Sequence, residues 1–348
     1  MPRSVPSPSR RLAALLAAFA LAGTGCASSA STQLTAQVSD TVPAGTSLSV
    51  AVHTTEVQLK SAGEVGKLPF TVRDWPVVPA GPDVIQAFRA HAVDIATNAG
   101  IPPIQAHGTG LDAKIVAVQW KQQPQYVLAT APGSDVHALG DLRGKKIAFS
   151  PGQAQGVVVL RTLEQQGLTK DDVQLVELNS PQFLTSLQAG QVDVAPLAEP
   201  TLTKYLTQFG PEGARGIVTP AVDALTILWA PTDVLADPGK AAAIKAFIPF
   251  WSRSQVWAWE NPDAWIDAYY VKDQQVSAAD GRRIVDTSEK PEFPASWDAA
   301  IRWEQETVDL VSKWGYFGHS FAAADLFDRR FERVAADAVA PAYQGPRS

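Results

Sequence analysis

This 348-residue chain contains a single cysteine, Cys26, and its setting restricts the chemistry open to that thiol. Arg3, Arg10 and Arg11 precede an apolar run from Leu12 to Ala22, and Gly23, Thr24 and Gly25 then lead into Cys26. The run is long enough for the apolar region of a secretory signal and too short to span a bilayer. One reading is an ordinary cleaved signal with an incidental cysteine. The other is cleavage just before Cys26, which then becomes the acylated first residue of a lipoprotein. No second cysteine exists to pair with it, and residues 27–47 are rich in Ser, Thr, Ala and Gly, as a flexible tether would be. These features favour lipidation. They predict a signal peptide over 1–25, a tether over 26–47, and an exported protein held by acyl chains on the outer face of the cytoplasmic membrane.

A second set of residues has binding rather than reactive chemistry. Thr54 and Thr55 follow the β-prone run Leu48–Val52 and could hydrogen-bond a ligand oxygen or simply cap a helix. Trp75 ends the run from Phe70 and could stack on a ligand or plug the core. Gly81 sits just before Pro82 at a helix start, where free N–H groups favour an anion. Thr97, Asn98 and Gly100 follow the short strand Val93–Ala96, and Gly152, Gln153, Gln155 and Glu199 occupy the corresponding places in the second half. Glu199 could hold an ammonium or an amide, or remain a solvated carboxylate. The five histidines show neither i, i+4 pairing nor a cysteine partner, so no metal site is expected. Gly108-x-Gly110 lacks the strand-turn-helix setting of a dinucleotide loop, and no cofactor is expected.

Strand-like and helix-like segments alternate along the chain: Leu48–Val52, 56–62, Phe70–Trp75, Pro82–Ala90, Val93–Ala96 and Lys114–Gln119. Val84, Ile85 and Phe88 lie on one face of a helix. Such alternation predicts a mostly parallel α/β sheet. The pattern also repeats. Asp83–Ala96 and Gln182–Ala195 both read as an amphipathic helix followed by Val-Asp-[Ile/Val]-Ala, and Val50–Val52 matches Ile147–Phe149 at nearly the same offset. Two similar α/β lobes imply a cleft with ligands outside the strand C-termini. Tyr126–Thr130 and Leu225–Trp229, apolar and close to prolines, are expected to be the extended crossings between lobes. Residues 48–127 and 228–348 are assigned to lobe 1 with its C-terminal helices, and 128–227 to lobe 2. The stretch Trp251–Tyr270, rich in Trp and Tyr, reads as a helical face packed on lobe 1 or as a docking surface.

Composition narrows the partners. Hydrophobic residues make up 46% of the chain, enough for a packed core, and the formal charge of −6 carries no dense basic patch, which disfavours nucleic acid. A monomer is expected.

The order and spacing of these segments resemble the substrate-binding lipoproteins of ABC importers in the aliphatic-sulfonate, taurine and nitrate group, which includes pyrimidine-precursor binders. The likeness covers about Ser47 to Phe331. It is strongest over Phe70–Ile104, with its strand-end Trp, Ala-Gly-Pro helix start, Ala-Val-Asp-Ile-Ala and Pro102-Pro103. It continues through Asp141–Phe149 and Leu160–Leu168. The resemblance implies a type II periplasmic-binding-protein fold, no catalysis, a small-molecule ligand in the cleft and delivery to ABC permease subunits. Sulfonate-binding relatives carry Ser or Thr after the second-lobe strand where this chain has Gln153 and Gln155, and Asp where it has Glu199. The alternatives are an enzyme on the same scaffold, of desulfinase or pyrimidine-precursor type, and a receptor that senses a solute without transporting it.

Overall fold

Leu48 and Val50 are fully buried, as are Ile147 and Ala148, because each pair belongs to a parallel strand covered on both faces. The computed structural model describes Leu34, residues 37–318 and residues 320–345. The segment expected to be a signal peptide and Cys26 lie outside the described residues. Among the described residues no helix is long and apolar enough to cross a membrane.

The first part of the chain runs β1 (Ser47–Ala51), α1 (His53–Ser61), β2 (Thr71–Asp74), α2 (Gly81–Arg89), β3 (Ile95–Ala99), α3 (Ile101–Gly108) and β4 (Ala113–Trp120). The middle part runs β5 (Tyr126–Thr130), β6 (Lys146–Phe149), α4 (Ala154–Gln165), β7 (Gln174–Glu177), α5 (Phe183–Gln188), β8 (Val194–Ala198), α6 (Thr201–Phe209) and β9 (Gly216–Val218). Then come β10 (Leu225–Pro231), α7 (Thr232–Ala236), α8 (Pro238–Glu260), α9 (Pro262–Trp265), a π-helical stretch Ile266–Asp273, α10 (Ala278–Asp286), α11 (Asp298–Lys313) and α12 (Val334–Asp337).

Two five-stranded sheets result, ordered β2-β1-β3-β10-β4 and β7-β6-β8-β5-β9. In the first, β1 is parallel to β2 and β3, while β10 is antiparallel to β3 and β4. The second repeats the plan: β6 is parallel to β7 and β8, and β5 is antiparallel to β8 and β9. The chain passes from one sheet to the other between β4 and β5 and returns between β9 and β10. The segments expected as crossings are thus the antiparallel strands of the sheets they enter.

The repeated aspartate has one structural role in both sheets. Ser49 N–H donates to Asp94 Oδ2 at 2.8 Å, and the Asp94 N–H returns a bond to the Ser49 carbonyl at 2.9 Å. Lys146 N–H donates to Asp193 Oδ2 at 2.8 Å, and the Asp193 N–H donates to the Lys146 carbonyl at 2.8 Å. Each carboxylate satisfies a backbone donor where the helix corner meets the first parallel strand, which is why the sequence repeats it.

Helix α2 turns Val84, Ile85 and Phe88 into the core, where the Phe88 ring meets Trp229 edge-on at 4.7 Å. The C-terminal helices are expected from the sequence to pack on the first lobe. Helix α8 does pack on α1 and β1, but α11 lies against both α3 and α4, so it touches both halves. In the Trp-rich stretch, Trp251 and Trp265 are buried in helical packing.

Candidate functional site

The ends of the parallel strands and the helices that follow them bring the two halves together. A Cβ at Gly81, in the first turn of α2, would lie 2.6 Å from Pro102 Cγ and 3.0 Å from the Gly152 carbonyl oxygen. A Cβ at Gly152 would in turn collide with the Gln105 side chain. The loop after β6 thus presses against α2 and α3: the ring of Pro102 and the backbone of Gly152 leave no room for a side chain at Gly81, while a side chain at Gly152 would have to push the Gln105 amide aside. Gln105 Oε1 is buried there with no hydrogen-bond partner.

The first half engages most of its strand-end groups internally. Thr97 Oγ1 donates to the Ile227 carbonyl at 3.0 Å, and Asn98 Oδ1 accepts from Trp229 Nε1 at 2.8 Å, so both tie β3 to β10. Gly100 faces Glu304 of α11, whose Oε2 would sit 2.3 Å from a Cβ there. Trp75 packs on Phe247 of α8, with ring centroids 6.5 Å apart. Thr55 is buried. Thr54 is exposed and hydrogen-bonds the Tyr269 hydroxyl. Neither threonine is the helix cap, since α1 begins at His53 after Val52.

The second half is more open. Gln153 is buried and held by three hydrogen bonds: its Oε1 accepts from Ser150 Oγ (2.7 Å) and Ser180 N (2.8 Å), and its Nε2 donates to Ser180 Oγ (2.8 Å). It clamps the loop after β6 to the one after β7. Beside it lies a cavity of about 340 Å³ lined by Gln155, Ser180, Phe183, Leu197, Glu199 and Thr201 among others. Its polar side chains come from helix starts, and Phe183 and Leu197 supply an apolar wall, the mixed lining typical of small-molecule sites.

Sequence reasoning placed Glu199 here but missed its partners. Glu199 Oε1 accepts from both Arg283 Nη1 and Nη2 at 3.2 Å. Its Oε2 accepts from Thr203 N at 3.1 Å and Thr203 Oγ1 at 2.6 Å, and Arg283 also donates to the Thr203 hydroxyl. Arg283 belongs to α10, which packs on the π-helical stretch Ile266–Asp273, so the ion pair joins the second sheet to the C-terminal helices.

A histidine–carboxylate pair, illegible in sequence, also forms at this end of the first sheet. His53 Nε2 lies 3.0 Å from both oxygens of Asp273. Burial alone would raise the Asp273 pKa, but hydrogen bonds from His53 and Gln274 outweigh it and hold the carboxyl below its ordinary value. Burial pushes the neighbouring Tyr270 phenol up to about 12.

Where the connections between sheets run, four ionisable groups crowd together without a direct salt bridge. Burial pushes Glu304 up to about 8, reinforced by Asp223 and opposed by Arg161, and burial pushes Asp223 up to about 6 against Lys121 and Arg161. Burial also lowers the pKa values of Lys121 and Arg161. Arg161 donates to Thr307 Oγ1 at 3.0 Å and stacks over the Trp303 ring at 4.1 Å, fixing α4 to α11.

Comparison with known proteins completes the picture. The model of the family described as "NMT1/THI5 like" matches residues 77–264. The chain is 31% identical over 144 residues to a protein of Escherichia coli (strain K12) named as an aliphatic sulfonates-binding protein, a match covering 41% of this chain and 45% of that protein. The aligned region therefore spans less than half of that relative's length. Among solved structures, the alkanesulfonate-binding protein SsuA from Xanthomonas axonopodis pv. citri, bound to MOPS, superposes with a TM-score of 0.69 at 19% identity, covering 85% of this chain and 99% of that one. The desulfurization enzyme DSZB superposes with a TM-score of 0.54 at 14% identity, covering 84% of this chain and 98% of that one. The fold is the two-lobed α/β periplasmic-binding-protein type expected from the sequence.

Proposed function

Since the chain belongs to the NMT1/THI5-like family, we propose that it is an extracytoplasmic solute-binding lipoprotein that captures a small organic anion between its two sheets and hands it to an ABC permease. The observation that carries this reading is the cavity at the ends of the second sheet's parallel strands. Gln155, Ser180 and Thr201 offer it hydrogen-bond donors, and Phe183 and Leu197 offer it apolar surface. An aliphatic sulfonate has the matching chemistry: three oxygens that accept hydrogen bonds and a hydrocarbon tail. The names of the E. coli and Xanthomonas proteins support the same class. The two halves meet at Gly81, Gly152 and the Glu199–Arg283 pair, so a bound solute could be enclosed by parts of both. Cys26, acylated after signal cleavage, would tether the protein at the membrane where the permease works.

The test is a thermal-shift and calorimetric series over alkanesulfonates, taurine, nitrate and pyrimidine precursors. A true ligand at a hundredfold excess over its Kd stabilises the fold by about 2.7 kcal/mol. No stabilisation by any member of the series would overturn the reading.

A second reading, an enzyme on this scaffold, draws on the His53–Asp273 pair, whose geometry suits a general base. It predicts sustained sulfite release from a sulfonate or sulfinate, abolished in His53→Ala. Stoichiometric binding without sulfite release excludes it.

A further inference from the structure

We infer that the Glu199–Arg283 ion pair makes the site selective for sulfonates with an uncharged tail, excluding those that carry an ammonium. The inference rests on the sulfonate-binding reading above.

A carboxylate offers about four lone-pair positions, and the structure fills all four of Glu199's. Oε1 accepts the two Arg283 donors, and Oε2 accepts the Thr203 amide and hydroxyl. The guanidinium neutralises its charge as well as saturating its geometry. Glu199 lines the cavity and is the carboxylate among the lining residues, so it is the group an ammonium would seek. An ammonium carries three donors and needs acceptors for each once it leaves water. With Glu199 engaged, it meets only neutral acceptors, the Gln155 amide, the Thr201 hydroxyl and the Ser180 hydroxyl that already accepts from Gln153, and otherwise hydrocarbon. A sulfonate group makes the opposite demand, for donors alone. Gln155, Ser180 and Thr201 can supply them, and α6, which starts at Thr201, points the positive end of its dipole the same way. A methyl or methylene tail needs only the apolar wall.

Taurine and propane-1-sulfonate differ by an ammonium in place of a methyl group and are otherwise the same size, so the pair of ligands isolates this effect. Calorimetry on the mature protein is expected to show propane-1-sulfonate binding about tenfold or more tighter than taurine. Arg283→Gln frees the Glu199 carboxylate and is expected to improve taurine binding by about tenfold while leaving propane-1-sulfonate equal or weaker. Arg283→Lys keeps the charge and should show no such gain. The double variant Arg283→Gln, Glu199→Gln should lose the gain again, and circular dichroism verifies that each variant is folded. Equal affinity of the wild type for both ligands, or no taurine gain in Arg283→Gln, overturns the inference and leaves the sulfonate reading standing. No heat with either ligand on the wild type overturns the sulfonate reading itself and this inference with it.

Discussion

The two sheets share one plan, yet they treat their strand ends differently. Both order a parallel trio beside an antiparallel strand delivered from the other half, and both lock the helix corner to the first strand through the same aspartate. In the first sheet, the polar groups in the last residues of β3 are consumed by the fold: Thr97 and Asn98 bond to β10, and Glu304 packs against Gly100 just beyond the strand. In the second, Gln155, Ser180, Glu199 and Thr201, which follow β6, β7 and β8, border a cavity; Gln153 and Glu199 are tied up in hydrogen bonds, and Gln155 and Thr201 line the cavity beside them. The first half is also wrapped by the C-terminal helices, while the second has its own smaller core around Phe183, Leu187 and Tyr205. A duplicated frame can therefore divide the labour, with one copy stiffened by added helices and the other keeping its strand ends available to a solute.

The largest effects should come from the shared aspartates, and they should be unequal. Asp94 is nearly fully buried and also accepts from Lys240 Nζ at 2.8 Å, so Asp94→Ala strands both a backbone donor and a cation. Chemical denaturation should record a loss of about 3 kcal/mol. Asp193→Ala, at a half-buried site, should lose about 1 kcal/mol. Equal losses would break the claim that the first half is the stiffer copy.

Next in size is the close approach at the start of α4. A Cβ at Gly156 would lie 1.9 Å from the Ser150 carbonyl oxygen, which is backbone and cannot swing aside. Gly156→Ala should cost about 2 kcal/mol and weaken ligand binding, because it displaces the loop carrying Gly152 and Gln153. Gly140→Ala, with open space around it, should stay within about 0.5 kcal/mol of wild type by the same denaturation assay.

The pH dependence concerns the contact between the halves. Glu304 has its pKa raised by burial, so its contribution to stability is fully present below its unfolded value and is lost as pH rises through about 8. Asp223 behaves alike, its contribution being lost as pH rises through about 6. The wild type should therefore lose stability from mildly acidic to mildly alkaline pH, and Glu304→Gln should flatten the upper part of that fall by on the order of 1 kcal/mol. Thermal melts across pH 5 to 9, roughly the span between the ordinary carboxylate range and Glu304's raised value, provide the measurement. An unchanged profile in the variant would remove Glu304 from the account.

The smallest effect is expected at the exposed pair Lys67–Glu64, where Glu64→Gln should change stability by about 0.5 kcal/mol or less.

What could be read from the residues follows the same division. The strands, the amphipathic α2 and the repeat were legible because each leaves a local signature: Leu48 and Val50 in a buried run, Val84, Ile85 and Phe88 on one face, and Asp94 echoed by Asp193. The side-chain pairings were not. Arg283 lies 84 residues from Glu199, and Asp273 lies 220 from His53, so no spacing rule connects them. Arg283 sits in α10, a helix whose pattern announces packing and nothing about a cavity. Gln153 was legible as a strand-end amide, but its three bonds to Ser150 and Ser180 depend on how two loops converge. The reach of α11 across both halves was hidden for the same reason: amphipathicity shows that a helix packs without saying against what.

The most direct test is a crystal structure of the mature protein with propane-1-sulfonate at saturating concentration. The account predicts density for the sulfonate in contact with Gln155, Ser180 or Thr201 and enclosed by residues of both sheets. Density on an outer surface, or an empty seam at a concentration where calorimetry shows saturation, would contradict it.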